Sequence, residues 1–247
     1  MQNILRNLIL TALFSTACVC AQEEIIPQLA DGAGWRSTVV LTNTTAAALN
    51  GVTLTFLKDV PDPPGQTAPW SPTFLEGSLP SSIPAGSSVF LHTPGTGTLT
   101  QGWAQVEATA GLEAYVIYTF TTNGRDQDAT APAVSSASRI LVPFDNTNGL
   151  VTALAVVNAN AFPLTIASNF RISGTVVQGT QLELPSNGQV AIVLPAQFTG
   201  TKDTSGLAEF YSMTPSGATF SIIALRANPT GGFTSLETYN ESGSPII

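Results

Sequence analysis

The chain has 247 residues, of which only 10% are charged, and its 16 acidic and eight basic side chains give a net charge of −8. Average soluble domains carry roughly 25% charged residues. This balance excludes a nucleic-acid partner, because such binding needs a basic face that displaces counterions from phosphates. Hydrophobic residues make up 43% of the chain and recur from end to end, which excludes disorder. The composition indicates a folded protein of one or two domains.

Residues 1–21 have the organisation of a signal peptide. Arg6 supplies the positive charge, 8–14 form a short and mostly apolar segment, and Val19 and Ala21 place small residues at the −3 and −1 positions of a cleavage site. The segment is too short to span a bilayer, which takes about 20 residues. We therefore expect export followed by cleavage after Ala21.

The mature chain is expected to begin at Gln22 without any cysteine, because Cys18 and Cys20 both lie in the removed segment. An exported protein without disulfides depends on core packing for its stability. A lipoprotein signal that uses Cys18 is the less favoured alternative, since the usual leucine three positions earlier is absent. No later apolar run approaches the length of a transmembrane helix. The expected location is secreted or at the cell surface, periplasmic or extracellular.

One sequence pattern occurs twice after residue 22, at a spacing of 115 residues. A glycine turn at Gly34 precedes a strand pattern that ends at Asn43, and Gly149 precedes a similar pattern that ends at Asn158. Later segments also correspond, with loops of different length: 83–86 with 184–188, and 102–106 with 206–210. The sequence predicts an internal duplication.

Both copies have the pattern of β-strands. Apolar and polar residues alternate from Trp35 to Thr42, which is the two-residue period of a strand. Residues 113–120 and 219–225 are apolar on both faces, as central strands are. No segment has a sustained helical period. About seven short strands in roughly 100 residues are typical of an immunoglobulin-like sandwich.

We therefore predict an all-β protein of two tandem immunoglobulin-like antiparallel β-sandwich domains. The first covers 22–125 and the second 139–247, and the small and polar residues 126–138 are predicted to link them. The longest stretch without periodicity, 58–82, contains six prolines and Trp70. A loop of this length is usually functional or mobile.

Three segments resemble a repeat of uncharacterised secreted proteins from environmental bacteria. They are the glycine turn DGAGW at 31–35 with its following strand, GWAQV at 102–106, and NPTGGFT at 228–234. The resemblance covers essentially the whole mature chain and implies immunoglobulin-like sandwiches in an extracellular setting, with no catalytic motif to transfer. Leu150 and Leu207 stand where the first copy has tryptophan, so the resemblance informs fold and compartment and leaves the ligand open.

Few residues are suited to catalysis. His92 alternates with Val89 and Leu91, which predicts a solvent-facing histidine on a strand, and no G-x-S-x-G motif accompanies it. Glu107 and Glu113 flank a short turn and are expected to approach each other as an exposed hairpin pair, which is commoner than the paired carboxylates of a glycosidase. We predict no catalytic residue and no enzyme activity.

Three acidic loops are candidates for calcium, which exported β-sandwiches often bind. They contain Asp59 with Asp62, Asp126 with Asp128, and the segment 145–149. None has the D-x-[DN]-x-[DN]-G spacing that surrounds one ion. Turn formation by Asp and Asn explains them as well, so we predict no cofactor and no metal site, with calcium open as an alternative.

The tryptophans are the candidate contacts with a ligand or partner. Trp35 shares a face with Val39 and is expected in the core, whereas alternation places Trp103 on the polar face of its strand. An aromatic side chain there stacks on a sugar or a partner, unless a loop or the other copy covers it. Trp70, in the proline-rich loop, is the second candidate.

The favoured function is non-catalytic: a structural, adhesion or protein-interaction role at or outside the cell surface, with an extracellular protein or glycan as partner. The alternative is a carbohydrate-binding module that uses an exposed Trp70 or Trp103. The identity of the partner, the oligomeric state and the mode of anchoring stay open.

Overall fold

A computed structural model describes residues 21–75, 78–214 and 218–241 of the chain. The predicted signal peptide and Cys18 lie outside these residues, apart from Ala21, which begins the first strand. The described residues form twenty β-strands, one four-residue helix and one short 3-10 turn. The prediction of an all-β protein is confirmed.

The first half of the chain contributes ten strands: β1 (Ala21–Asp31), β2 (Trp35–Asn43), β3 (Leu49–Asn50), β4 (Thr53–Asp59), β5 (Thr67–Pro69), β6 (Ser82–Ile83), β7 (Ser88–His92), β8 (Thr100–Thr109), β9 (Leu112–Thr122) and β10 (Arg125–Pro132). The second half contributes the other ten: β11 (Arg139–Asp145), β12 (Val151–Val157), β13 (Leu164–Ile172), β14 (Thr175–Gln178), β15 (Leu182–Leu184), β16 (Gln189–Val193), β17 (Ser205–Thr214), β18 (Ser221–Ala227), β19 (Phe233–Leu236) and β20 (Tyr239–Asn240). Between β16 and β17 lie helix α1 (Leu194–Gln197) and the 3-10 turn (Thr199–Thr201).

The strands pair antiparallel in two large sheets per half. The sheets of the first half have the orders β1-β8-β4-β5 and β10-β9-β2-β7, beside a small β3-β6 pair. Those of the second half have the orders β14-β13-β17-β11-β20, with β15 also on β13, and β16-β12-β18-β19. Read in the reverse direction, the two sheets of the second half contain the orders β11-β17-β13-β14 and β19-β18-β12-β16. These orders match β1-β8-β4-β5 and β10-β9-β2-β7 of the first half, position by position.

Each half buries apolar side chains between its two large sheets. In the first half they come from β1, β2, β8 and β9, and in the second from β11, β12, β13, β17 and β18. Alternate residues of each strand point inward, which is why the two-residue period of the sequence marks the core. The result is a β-sandwich-like layering in both halves.

Residues 126–132 are not a linker but most of strand β10. Ala129 and Ala131 are buried on its inner side, and the hydroxyls of Thr119 and Thr121 in β9 donate to Asp128 and Asp126, both at 2.6 Å. These hydrogen bonds pair the acidic side chains with the neighbouring strand, which the polar composition alone did not reveal. The predicted boundary at 126 is therefore too early, and the crossing between the halves is confined to 133–138.

Glu107 and Glu113 do not form a hairpin pair. β8 pairs with β1 and β4 in one sheet, whereas β9 pairs with β2 and β10 in the other. The short turn between β8 and β9 thus connects two layers, and both glutamates are exposed on different sheets. Glu107 accepts hydrogen bonds from Gln105 (2.8 Å) and Thr53 (3.3 Å). These are ordinary contacts of an exposed side chain on a strand.

Each half contains one buried asparagine that hydrogen-bonds to backbone carbonyl groups, and the two asparagines occupy equivalent positions. The Nδ2 group of Asn43 donates to the carbonyl oxygens of Ala47, Ile83 and Pro84 at 2.7, 2.9 and 3.1 Å. Asn158 makes the equivalent bonds, and both asparagines are fully buried. The Nδ2 group of Asn158 donates to the carbonyl oxygens of Phe162, Leu184 and Pro185 at 2.8, 3.4 and 2.8 Å.

Asn158→Ala is expected to lower the free energy of unfolding by about 1–3 kcal/mol, because buried carbonyls lose their donor. Asn43→Ala should produce a loss of the same order at the equivalent position. Urea unfolding of the mature protein measures both. Asn50→Ala, at an exposed strand residue, is the control and should change the free energy by less than about 0.5 kcal/mol. An equal, small effect at all three positions would contradict the role of the buried asparagines.

Candidate functional site

The two halves meet at a buried junction, and Trp103 lies at its centre. Trp103 in β8 is 0% exposed and packs with Ile25, Leu57 and, from the second half, Val157 and Ala159. Its indole N–H donates to the carbonyl oxygen of Asn187 at 3.2 Å. Alternation places Trp103 on the outer face of its sheet, but the second half covers that face. The prediction that Trp103 is open to a ligand is therefore wrong, and the alternative of cover by the other copy holds.

Gln189 is the polar counterpart of Trp103 in this junction. It is 1% exposed, and its amide Nε2 donates to Pro27 O and Gln28 Oε1, both at 2.7 Å, with Gly102 O at 3.4 Å. The strand β1 bulges between Ile26 and Leu29, and the carbonyl oxygen of Pro27 in this bulge accepts from the second half. A buried amide bonded in this way fixes the relative register of the two halves, because any shift leaves polar groups without partners.

The proline-rich loop of the first half adds a second set of contacts. The backbone N–H of Gln189 donates to Gly65 O at 3.1 Å, and the hydroxyl of Thr67 donates to Asn187 O at 2.6 Å. Apolar contacts continue where Ala155 and Ile223 of the second half pack against the core of the first. The long proline-rich loop at 58–82 therefore contributes hydrogen bonds to the junction.

Beside this tightly packed region the junction opens into a groove of about 310 Å³. Strands from both halves line it, and its lining includes Trp35, Leu99, Gln101, Ala153, Val193 and Leu225. Leu99 and Val193 are 44% and 47% exposed. The groove combines a concave shape with a mainly apolar lining, and it is the candidate binding site.

Trp35 is partly buried and packs against the core of the first half, as expected, and it also lines the groove. Its ring stacks on Phe120 at 4.6 Å between centroids and 26° between planes, and it lies 5.3 Å from the ring of Phe233 in the second half. Tyr118, also in the lining, donates its hydroxyl to Gln28 O at 2.8 Å. The aromatic contribution to this site comes from a tryptophan that the sequence pattern assigned to packing.

Trp70 lies apart from the groove lining. It is partly buried and packs against the core of the first half, and its backbone N–H donates to Phe56 O at 2.9 Å. The two tryptophans singled out in the sequence are therefore not brought together into one site.

The other predicted positions have local partners. His92 is partly buried, with its Nδ1 3.0 Å from the hydroxyl of Thr38 and its ring beside the exposed Phe90. Asp145 accepts from the backbone N–H and hydroxyl of Thr147 at 3.1 and 2.7 Å, which is the turn formation expected for it. These bonds, with Arg226, lower the pKa of the Asp145 carboxyl. Within the described ranges no three His, Cys, Asp or Glu side chains gather as metal ligands.

A buried ion pair lies in the second half. Arg139 Nε and Glu209 Oε1 are 2.6 Å apart, and the two side chains are only 8% and 5% exposed. Asn169 donates to the other carboxylate oxygen of Glu209 at 3.4 Å. No sequence pattern indicates this pair, since its members are 70 residues apart and follow no motif. Its contacts are those of a structural pair.

Burial raises the pKa of the Asp59 carboxyl, at the end of β4, from its ordinary 3.8 to about 6. Its Oδ1 is buried without a hydrogen-bond partner among the described residues. The folded chain holds this proton more tightly than the unfolded chain does. The contribution of Asp59 to stability is therefore greatest below about pH 4, falls as the pH rises to 6, and stays low above it.

Asp59→Asn is expected to raise the melting temperature above pH 6, where the wild-type carboxylate is ionised in a poorly hydrated position. The gain should shrink as the pH falls from 6 to 4. Thermal unfolding of both proteins across pH 4–8 gives the difference. Asp62→Asn, at an exposed position in the same loop, is the control and should give no such trend. A gain that is constant with pH would contradict the raised pKa of Asp59.

Comparisons with family models, with curated proteins and with solved structures find no match. Among the described residues, no helix is long and apolar enough to cross a membrane. The strands and their layering define the class as an all-β, β-sandwich-like protein.

Proposed function

We propose that this protein is an exported, non-catalytic protein of two tandem immunoglobulin-like sandwiches, with a structural, adhesion or protein-interaction role at or outside the cell surface. The observation that carries the proposal is the junction around Trp103 and Gln189. It holds two similar modules in one orientation, so that they act as a single extended surface.

The equivalent strand order of the two halves supports their origin as tandem copies. Asn43 and Asn158 make the same bonds, and a side chain at Gly102 or at Gly206 would collide with a backbone carbonyl of the neighbouring strand. The immunoglobulin likeness rests on the layered architecture only. β1 pairs with β8 and not with β2, whereas the first two strands of an antibody domain share a sheet.

The placement of the titratable groups supports a role without catalysis. Glu107 and Glu113 lie on different sheets, Asp126 and Asp128 bind neighbouring threonines, and His92 contacts a threonine hydroxyl. A general acid and base must converge on one reacting group. The titratable side chains named above do not converge in this way; they form hydrogen bonds within strands or lie on separate sheets.

A fixed pair of similar modules suits a repeated target. Two linked sites gain affinity through effective concentration only when their geometry allows both to bind at once. A rigid junction sets that geometry in advance. Repeated surface proteins or glycans are the partners that fit this arrangement.

Carbohydrate binding is the second candidate, and it now depends on Trp70. Trp103 is covered by the second half, while Trp70 keeps part of its surface exposed. A half-exposed indole is the usual stacking surface for a sugar ring. We expect Trp70→Ala to abolish binding on a glycan array if this candidate is correct, with Trp103→Phe as the matched control that keeps binding.

The test of the main proposal uses the mature protein in binding and turnover assays. We expect binding to an immobilised surface protein or glycan that stays chemically unchanged. Hydrolysis of a glycoside, ester or peptide substrate that disappears on substitution of a single Glu or Asp would contradict the proposal.

Export is tested separately by mass spectrometry of the protein from the culture medium and the cell envelope. Cleavage after Ala21 gives Gln22 at the N-terminus and a chain without a thiol. Detection of a lipid attached to Cys18 would contradict cleavage after Ala21 and support the lipoprotein alternative.

A further inference from the structure

We propose that the groove between the two halves is a binding site for a small, neutral, apolar molecule with an aromatic ring. This inference is independent of the surface role proposed above. It rests on the charge, the size and the side chains of the groove, and a partner protein is not needed for it.

The groove is free of charge in a protein whose net charge is −8. None of the side chains that line it is Asp, Glu, Lys, Arg or His. A charged ligand would lose hydration on entry without gaining an opposite charge, which is unfavourable. Charge complementarity therefore selects a neutral molecule.

The polar groups in the lining are few and mostly occupied. Tyr118 donates to Gln28 O, and the side chain of Gln28 donates to Leu29 O at 3.2 Å and accepts from Gln189. The backbone of Gln101 pairs with β1, whereas its side-chain amide makes no hydrogen bond to another described residue. The ligand that fits is mainly apolar, with at most one polar group directed to the Gln101 amide.

The shape of the groove follows from small side chains on the second half. Where Ala153 and Ala191 line it, larger residues would close the gap against the first half. The indole of Trp35 provides an aromatic wall, held in place by Phe120 behind it. The volume of about 310 Å³ lies at the lower end of small-molecule sites, which are about 300–1,000 Å³.

Two fluorescent probes with the same ring system test the inference. N-phenyl-1-naphthylamine is neutral, and 8-anilinonaphthalene-1-sulfonate adds one negative charge. We expect the neutral probe to bind the mature protein at one site, at least about tenfold more tightly than the sulfonate. A tenfold difference corresponds to about 1.4 kcal/mol.

Ala153→Leu fills the groove and is expected to weaken binding of the neutral probe by at least about tenfold. The matched control is Ala68→Leu, the same change at a partly buried strand residue outside the groove lining. Melting temperatures of both variants check the fold. Failure of the neutral probe to bind, equal binding of both probes, or an equal effect of the two substitutions would each overturn the proposal.

Discussion

Trp103→Ala is expected to lower the free energy of unfolding by about 3–5 kcal/mol, the usual cost of removing a large aromatic side chain from a packed interior. The indole is fully buried between the halves and also donates to Asn187 O. Its removal leaves a cavity and a carbonyl without its donor. Urea unfolding of the mature protein, followed by circular dichroism, measures the loss.

Trp103→Phe and Trp70→Ala are the controls for this prediction. The phenylalanine keeps much of the packing and should lose less than the alanine variant does. Trp70 is only partly buried, so its truncation should also cost less than that of Trp103. A change below about 1 kcal/mol for Trp103→Ala would place the side chain outside any packed contact and contradict the junction.

Arg139→Met is expected to lower the free energy of unfolding by about 3–5 kcal/mol, because it removes one partner of a buried ion pair. The two side chains are 2.6 Å apart at 8% and 5% exposure. Water cannot take the place of the guanidinium at this depth. Thermal and urea unfolding of the variant give the loss.

The double variant Arg139→Met, Glu209→Leu separates the charge effect from packing. Replacing both partners with apolar side chains removes the buried charge, and such replacements are often neutral or stabilising. We expect the double variant to be more stable than Arg139→Met alone. A double variant with a loss equal to the sum of the two single losses would show that the pair is not coupled.

The strands were predictable from the sequence because their period is local. Alternation from Trp35 to Thr42 corresponds to β2 (Trp35–Asn43), and the apolar run at 113–120 lies within β9 (Leu112–Thr122). Within each strand, the alternation of apolar and polar residues shows which side faces the core. The pairing of the strands is not encoded locally, so the sequence predicts a hairpin at the turn after Glu107, whereas this turn connects two sheets.

Trp103 shows the same limit at the candidate site. Alternation places it correctly on the face that carries Gln105 and Glu107, but its cover comes from Val157, Ala159 and the turn at Asn187, 54 to 84 residues later in the chain. No pattern around Trp103 distinguishes an aromatic side chain that faces solvent from one that faces another module. The lining of the groove is likewise assembled from both halves, and only the three-dimensional arrangement brings Trp35 to Ala153.

Differential scanning calorimetry of the mature protein tests the central claim, that the junction joins the two halves into one rigid body. The claim predicts a single transition whose van't Hoff enthalpy equals the calorimetric enthalpy, because neither half can unfold without exposing Trp103 and Gln189. Two separate transitions, or a van't Hoff enthalpy near half the calorimetric value, would show that the halves unfold independently and contradict the claim.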